Sequence, residues 1–332
     1  MGEDLSSERS HPSDTNQRCD IRRQQEQGCG DGRKETTMPT LNIPATSANL
    51  GAGFDALGLA LDLYNTVEIE ESDVVDIASN DDIAVPTNES NLIYISAGDL
   101  YRVCGRELKG LRLRQTNRIP MTRGLGSSSA CIVAGLVGAN RLLGDPLTTD
   151  DLVDLAAQIE GHPDNTAPAL LGGIVTAVFD GRKVHWVKQE VRTKLKFAAI
   201  IPDFELPTEK ARACLPKEVT HKDAVYNLSR AALFSASLLT GKLENLRTAC
   251  HDRLHQPYRM ELIPGCREVF DIAYTHGAYA AYISGAGPTV MAIADESNEF
   301  FAGKVKFSLD NAGLTGWTVH EFRIDNEGTR FL

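Results

Sequence analysis

The sequence predicts an α+β protein of two domains. A length of 332 residues favours two cores over one. Hydrophobic residues make up 42% of the chain, an ordinary share that allows a sizeable core. The last third reads helix, strand, strand, helix, strand, an order that fits an α+β layer. No internal repeat is visible.

Residues 1–37 are polar, of mixed charge and poor in large apolar side chains, so a disordered tail is expected. The tail has no apolar core of a secretory signal. Met38 stands directly before the first strand pattern and is the expected translation start, which an intact Met1 terminus in mass spectrometry would contradict. A short strand is predicted at 40–43, then a Gly-rich turn at 50–53. Residues 61–70 and 73–78 read as two strands paired with each other, since Leu61, Leu63, Val67 and Ile69 roughly alternate. A helix follows at 91–104, a strand at 109–117, and a long apolar helix up to Leu143. Thr148-Thr-Asp-Asp151 is a good helix start, so 152–159 is helical until Gly161. A loop caps a short helix ending at Leu171, and strands follow at 174–179 and 183–188. These elements make an N-terminal domain over 38–192, with a boundary near 191–194 and a C-terminal domain over 193–332. The second domain has strand 197–201, helices at 208–214, 222–239, 242–250 and 265–276, strands 278–283 and 289–294, helix 298–312 and a last strand to Phe322.

A net charge of −11 argues against a nucleic-acid partner, which selects a basic face. It leaves room for a nucleotide held by a local nest of N–H groups. No apolar run reaches about 18 residues, so no membrane span is expected. The seven cysteines are scattered, without a CxxC pair or a Cys/His cluster, which fits a reducing cytoplasm and no zinc. Cys131 and Cys250 fall in apolar helical patterns and read as small core residues. Nothing in the pattern fixes the oligomeric state, and a homodimer stays open.

The stretch with most chemical content is Pro120-Met-Thr-Arg-Gly-Leu-Gly-Ser-Ser-Ser-Ala130, between a strand pattern and a helix pattern. Gly124 and Gly126 can take φ > 0 and let backbone N–H groups converge. Ser127, Ser128 and Ser129 then open a helix whose first N–H groups lack intrahelical partners, a ready pocket for phosphate. No GK[ST] ends the loop, so it is not the common P-loop. An ordinary Gly turn with a Ser cap is the simpler reading of the loop alone. Two further stretches stand out, Pro44-Ala-Thr-Ser-Ala-Asn-Leu-Gly-Ala-Gly-Phe-Asp55 and Ser284-Gly-Ala-Gly-Pro-Thr-Val290.

The three stretches together resemble the motifs of the GHMP small-molecule kinases. The first of the two further stretches, with Glu160-Gly-His-Pro-Asp-Asn165, resembles the homoserine kinases in particular, and the likeness runs from about residue 38 onward. The resemblance implies a two-domain GHMP kinase fold, with a ribosomal S5 domain 2-like N-terminal domain and a ferredoxin-like C-terminal layer. It implies ATP and Mg²⁺ as cofactors and L-homoserine as substrate, phosphorylated on the threonine branch. ATP would lie on Pro120, Gly124, Leu125, Gly126, Ser127, Ser128 and Ser129, with Gly285 and Gly287 closing over the phosphates and Asn91 at the adenine edge. Mg²⁺ wants oxygen ligands, and Ser128 with Glu160 are the implied pair. Asn49, Asp55, His162, Asn165, Thr208, Arg212 and Arg259 would hold the substrate, with Ser128, Glu160, Asn165 and Arg212 serving catalysis. Asp55 suits an ammonium, and two arginines suit a carboxylate.

Each residue also has a plain reading: turn chemistry for Asn49 and Asp55, a solvated helix end for Glu160, a surface location for the arginines, and a capping role for Thr208 and the Asp164–Asn165 pair. Asp164 is not expected to act as a base, and direct attack by the hydroxyl is the expected course. Arg123 sits where relatives have small residues, and the sequence leaves it open between phosphate and solvent. Alternative functions are a GHMP kinase for mevalonate or another alcohol, and a catalytically silent nucleotide-binding protein.

Overall fold

The computed structural model describes residues 38–190 and 194–332, so the expected tail and most of the expected boundary lie outside the described residues. Two sheets organise the chain. In the first, β1 (Thr40–Ala48) pairs antiparallel with β2 (Leu57–Glu71), and β2 pairs with β4 (Leu111–Thr116). Leu41, Ile43 and Ala45 of β1 are fully buried, and Pro44, which has no N–H for the ladder, sits at a register shift. The hairpin β5 (Ile174–Phe179) and β6 (Val184–Gln189) adds to the lower end of β2.

β3 (Asp76–Ser79) departs from expectation. It does not pair with β2 but runs parallel to β4, aligned from Asp76 opposite Arg112 to Ser79 opposite Gln115. Parallel neighbours need a long crossover. The crossover here contains α1 (Leu92–Val103), capped by Asn91.

Four helices cover one face of this sheet: α1, α2 (Ser127–Leu142), α3 (Thr149–Glu160) and α4 (Thr166–Leu171). The predicted start of α3 is a full capping box, in which Thr148 accepts from the N–H of Asp151 and Asp151 accepts from that of Thr148. Gly161, at φ 90°, ends α3 in the left-handed region.

The second sheet has the order β10-β7-β9-β8, from β7 (Leu195–Ile201), β8 (Ala280–Ile283), β9 (Val290–Asp295) and β10 (Thr318–Phe322). Around it lie α5 (Thr208–Ala213), α6 (His221–Thr240), the short α7 (Leu246–Ala249), α8 (Gln256–Met260), α9 (Cys266–Thr275) and α10 (Phe301–Asn311). The expected helix at 242–250 is a single 3₁₀ turn, Leu243–Asn245, followed by α7. The helix α8 was not expected. The chain ends with β11 (Arg330–Phe331), which crosses back and pairs with β1 of the first sheet.

Phe197, Tyr282, Met291 and Ile293 join the core of the first sheet, whereas Ala198, Ile200, Ala281 and Ala292 form a second core with Phe301 and Val305 of α10. Both faces of the second sheet are therefore buried. Cys250 is in the core, as expected, while Cys131 is half-buried. No helix among the described residues is long and apolar enough to cross a membrane.

Candidate active site

The loop between β4 and α2 is pinned from below. The side chains of Ile119 and Leu125 are fully buried, and the carbonyl of Leu125 accepts from the N–H of Thr46 on β1 at 3.1 Å. Gly124 and Gly126 both have φ of 73°, as their role in the sequence requires. A Cβ on Gly124 would lie 2.3 Å from the carbonyl oxygen of Ser284, and one on Gly126 would lie 1.9 Å from Thr46 Oγ1. No side chain caps α2, so the amides of Ser127, Ser128 and Ser129 have no cap partner and stand at the positive end of a 16-residue helix. The Gly285 turn braces the loop from the second sheet. Ser284 Oγ donates to the carbonyl of Gly124 at 2.6 Å, and the N–H of Gly285 donates to Ala48 at 3.1 Å.

Glu160 faces this nest from the end of α3. Ser129 Oγ donates to Glu160 Oε1 at 3.1 Å. The expected partner, Ser128, lines the same cleft but is the more exposed serine. Burial raises the Glu160 pKa, although His162 and the Ser129 hydroxyl act against the rise. Among the described residues Glu160 forms no ion pair. A half-buried carboxylate that accepts from a serine hydroxyl and has no ion-pair partner among the described residues is a donor set that fits a hard divalent ion.

After Gly161 the chain turns through His162, Asp164 and Asn165 into the cleft. His162 Nδ1 lies 2.5 Å from Asp164 Oδ1, and Asp164 is 2% exposed. Burial disfavours the imidazolium, yet the bond to Asp164 together with the negative charges of Asp164, Asp55 and Glu160 outweighs it and raises the His162 pKa. Asn165 stands at the start of α4 without a side-chain cap bond, contrary to the capping expectation. Its Oδ1 instead accepts from Thr46 Oγ1 at 2.7 Å.

The opposite wall comes from the β1–β2 turn and from the second half of the chain. Asn49 (φ 71°) and Asp55 (φ 56°) hold the turn, for Asn49 Oδ1 accepts from the N–H of Asp55 at 3.0 Å. Asn49 Nδ2 donates to the Gly285 carbonyl at 2.9 Å. Arg212, on α5, forks onto Asp55 with both Nη atoms, at 3.1 and 3.0 Å. Thr208 lines the cleft at the first turn of α5 and does not cap it, since the capping position is Pro207. Arg259, on α8, is 2% exposed and bonds to carbonyls: Nε to Ala211 at 3.2 Å and Nη1 to Gly285 at 2.7 Å. Among the described residues it has no carboxylate partner within ion-pair distance. Burial lowers its pKa, and the Arg212 charge adds to that. The ring of Phe54 lies between the two arginines, 5.5 Å from the Arg212 guanidinium and 5.3 Å from that of Arg259.

One cleft thus gathers every expected site residue except Asn91, Leu125 and Gly287. Asn91 is 3% exposed, and its side chain is used within the fold. It accepts from the N–H of Ile93 and donates to the carbonyl of Pro86 and to Gln115. Leu125 serves through its buried side chain and its carbonyl. Gly287, at φ 87°, closes the turn by donating to Ser284 at 2.8 Å. Arg123 lines the cleft and reaches across to the carbonyl of Asp203 at 3.2 Å and Glu205 at 3.5 Å. Sequence reading missed Thr46, which holds Asn165, and His255, which holds Arg259. Thr46 lies within the quoted stretch Pro44–Asp55 and His255 lies four residues before Arg259, and these positions are the signals that could have pointed to them.

Comparison with known proteins gives the family. Residues 91–173 match the GHMP kinases N terminal domain, and residues 234–309 match the GHMP kinases C terminal domain. A homoserine kinase of Clostridium beijerinckii is 48% identical over 299 residues, 89% of this chain and 99% of that protein. One from Caldicellulosiruptor bescii is 45% identical over 88% of this chain and 96% of its own length. The crystal structure of homoserine kinase from Cytophaga hutchinsonii superposes with a TM-score of 0.80 at 31% identity, covering 92% of this chain and all of that one. A mevalonate kinase structure reaches a TM-score of 0.63 at 17% identity, a likeness of fold alone. With that identity carried over nearly the whole length of its relatives, and with the glycine loop, the Asp55 turn and the Gly285 turn meeting in one cleft, the chain belongs to the homoserine kinase family of the GHMP kinases.

Proposed function

We propose that the protein transfers the γ-phosphoryl group of ATP to the side-chain hydroxyl of L-homoserine, giving ADP and O-phospho-L-homoserine for threonine biosynthesis in the cytoplasm. The carrying observation is the pairing of opposites across the cleft. Among the described residues, a buried Arg259 with no carboxylate in ion-pair distance and an Asp55–Arg212 pair lie beside a helix N-terminus whose amides have no side-chain cap. An anion is called for at two points, the triphosphate at the amides and a carboxylate at Arg259. Asp55 supplies the counter-charge for an ammonium. A neutral alcohol has no use for this set.

Phosphoryl transfer asks the protein for position and charge more than for covalent chemistry. The amides of Ser127 to Ser129 and the backbone of Gly124 and Gly126 cradle the β- and γ-phosphates. Glu160, with Ser129 and Ser128, would hold Mg²⁺, which neutralises charge on the phosphate oxygens. Arg259 takes the substrate carboxylate, Asp55 the ammonium, and Asn49 fixes the turn that presents Asp55. The hydroxyl oxygen then attacks the γ-phosphorus. A new O–P bond forms, the bond from phosphorus to the β–γ bridging oxygen breaks, and its electron pair leaves on ADP. The hydroxyl proton leaves to the transferred phosphoryl group, and no side chain is assigned as the base. Arg212 and Asn165 stand where charge develops on the phosphoryl oxygens.

Coupled ADP release with L-homoserine, mevalonate and galactose tests the proposal. Turnover on L-homoserine alone is expected. Equal turnover on mevalonate, or nucleotide binding without turnover on any of them, overturns it.

A further inference from the structure

His255 is buried to 0% exposure, yet it is fully hydrogen-bonded. Its Nε2 lies 2.8 Å from the Gly51 carbonyl, which can only accept, so Nε2 carries the ring proton. Nδ1 is then a bare acceptor, and it receives Arg259 Nη1 at 3.2 Å. The ring stacks on Phe54 at 5.2 Å between centroids, on the same side chain that faces both cleft arginines. With Nη1 shared between His255 and Gly285, and Nε on Ala211, the Nη2 edge of Arg259 is the only part of the fork without a hydrogen bond among the described residues. Asp252 stands 3.8 Å from Nε2, but its oxygens are taken by the N–H groups of Leu254, His255 and Gln256 and by Asn227. Burial holds the imidazole below its usual range, with Asp252 opposing and Arg259 reinforcing, so the ring stays neutral and able to accept.

We propose that His255 is the positioning residue for Arg259, aiming its free Nη2 edge into the cleft and so setting the affinity for the amino-acid substrate. The inference rests on the reading that Arg259 takes the substrate carboxylate. His255 touches neither nucleotide nor hydroxyl, so it acts on the KM of one substrate and not on the other.

Asparagine places its amide close to the Nδ1 position, and glutamine places its amide close to Nε2. The two replacements therefore separate the two bonds. His255→Gln keeps a donor for Gly51 and loses the acceptor for Arg259. It is expected to melt near the wild-type temperature, to raise the KM for L-homoserine about 10- to 100-fold, the loss typical of a charge-assisted hydrogen bond, and to leave the KM for ATP unchanged. His255→Asn restores the acceptor and is expected to keep the KM for L-homoserine within about 3-fold while melting lower. A His255→Gln enzyme with a wild-type KM for L-homoserine overturns the proposal. So does a rise in both substrates' KM that follows the loss of thermal stability. If His255→Asn fails to fold, His255→Gln decides alone.

Arg259→Met, assayed with L-homoserine and with L-homoserinol, which lacks the carboxylate, separates the two layers of the argument. Loss of the preference for L-homoserine supports the carboxylate reading. An unchanged preference removes that reading. A lost preference in Arg259→Met beside an unchanged KM in His255→Gln removes the positioning proposal alone.

Discussion

Replacing Gly126 with alanine strikes the amide nest and its support together. The new Cβ would meet Thr46 Oγ1 at 1.9 Å, with Thr46 Cβ at 3.1 Å and its nitrogen at 3.3 Å behind it. Thr46 can clear the methyl only by rotating, which breaks its 2.7 Å donation to Asn165. The left-handed backbone, φ 73°, adds strain that glycine does not feel. That strain costs about 1 kcal/mol, the lost hydrogen bond about 1 kcal/mol, and residual crowding about 1 kcal/mol. The sum, about 3 kcal/mol, corresponds to a fall in melting temperature of about 6 °C for a fold of this size. Because the amides of Ser127 to Ser129 move with Gly126, the KM for ATP should rise about tenfold or more. Differential scanning fluorimetry and coupled ADP release read the two effects. Thr46→Ala removes the obstructing hydroxyl, so the double variant should lose less than the sum of the single losses, by about 1 kcal/mol. Wild-type melting and ATP kinetics in Gly126→Ala would refute the reasoning, and strict additivity would refute the role assigned to Thr46.

Glu160→Gln should lower turnover more than about 100-fold. The Glu160 pKa is raised by burial, so its carboxyl favours the fold in acid, and that contribution is lost as pH rises through the folded value. The variant should therefore match wild type near pH 4 and melt higher at neutral pH, and added Mg²⁺ should stabilise wild type but not the variant. Asp164→Asn should reduce turnover far less than about 1000-fold, since no base is lost. It should also move the His162 titration, followed by NMR, to lower pH. The raised His162 pKa contributes stability below about pH 6.5 that fades as pH climbs through the folded value, and this pH dependence of melting should shrink in the variant. L-Serine, one methylene shorter than homoserine, should lose about 10- to 200-fold in kcat/KM, measured by ADP release.

The site was legible because its chemistry is written in consecutive residues. The loop from Pro120 to Ala130 needs two glycines next to a helix start, a pattern that survives without tertiary context. What failed to show depended on distance along the chain. The pairing of β3 with β4 brings Ile77 beside Leu113, and nothing local distinguishes that register from a hairpin with β2. The helix α8 has five residues with Pro257 in its first turn, and its stability is tertiary. Asp252 accepts the N–H groups of His255 and Gln256, while Gln256 bonds to Cys250 and Ile283. Asn91 shows the opposite case. An Asn at a helix start has a strong local use, and its side chain caps the helix and bonds to Pro86 and Gln115 within the fold. Which of the three adjacent serines meets Glu160 depends on helix rotation. Ser129 points back toward α3 and Glu160, and Ser128 toward the open cleft.

The two cleft arginines differ in a way that bears on selectivity. Arg212 and Asp55 satisfy each other when no substrate is bound, and with side chains 42% and 33% exposed such a pair is worth only about 0–1 kcal/mol. An amino acid gives its ammonium to Asp55 and its carboxylate to Arg259, the released Arg212 turns to the phosphoryl oxygens, and no charge is left stranded. A neutral diol must either leave the pair closed or strand both ends, and a molecule with one charge strands one. Among the described residues Arg259 has no carboxylate within ion-pair distance, and it lies out of the solvent, so an anion in the cleft is the partner it lacks. A weak, exchangeable pair set beside a buried and unpaired cation favours a zwitterion over its neutral analogues without tight binding at either end.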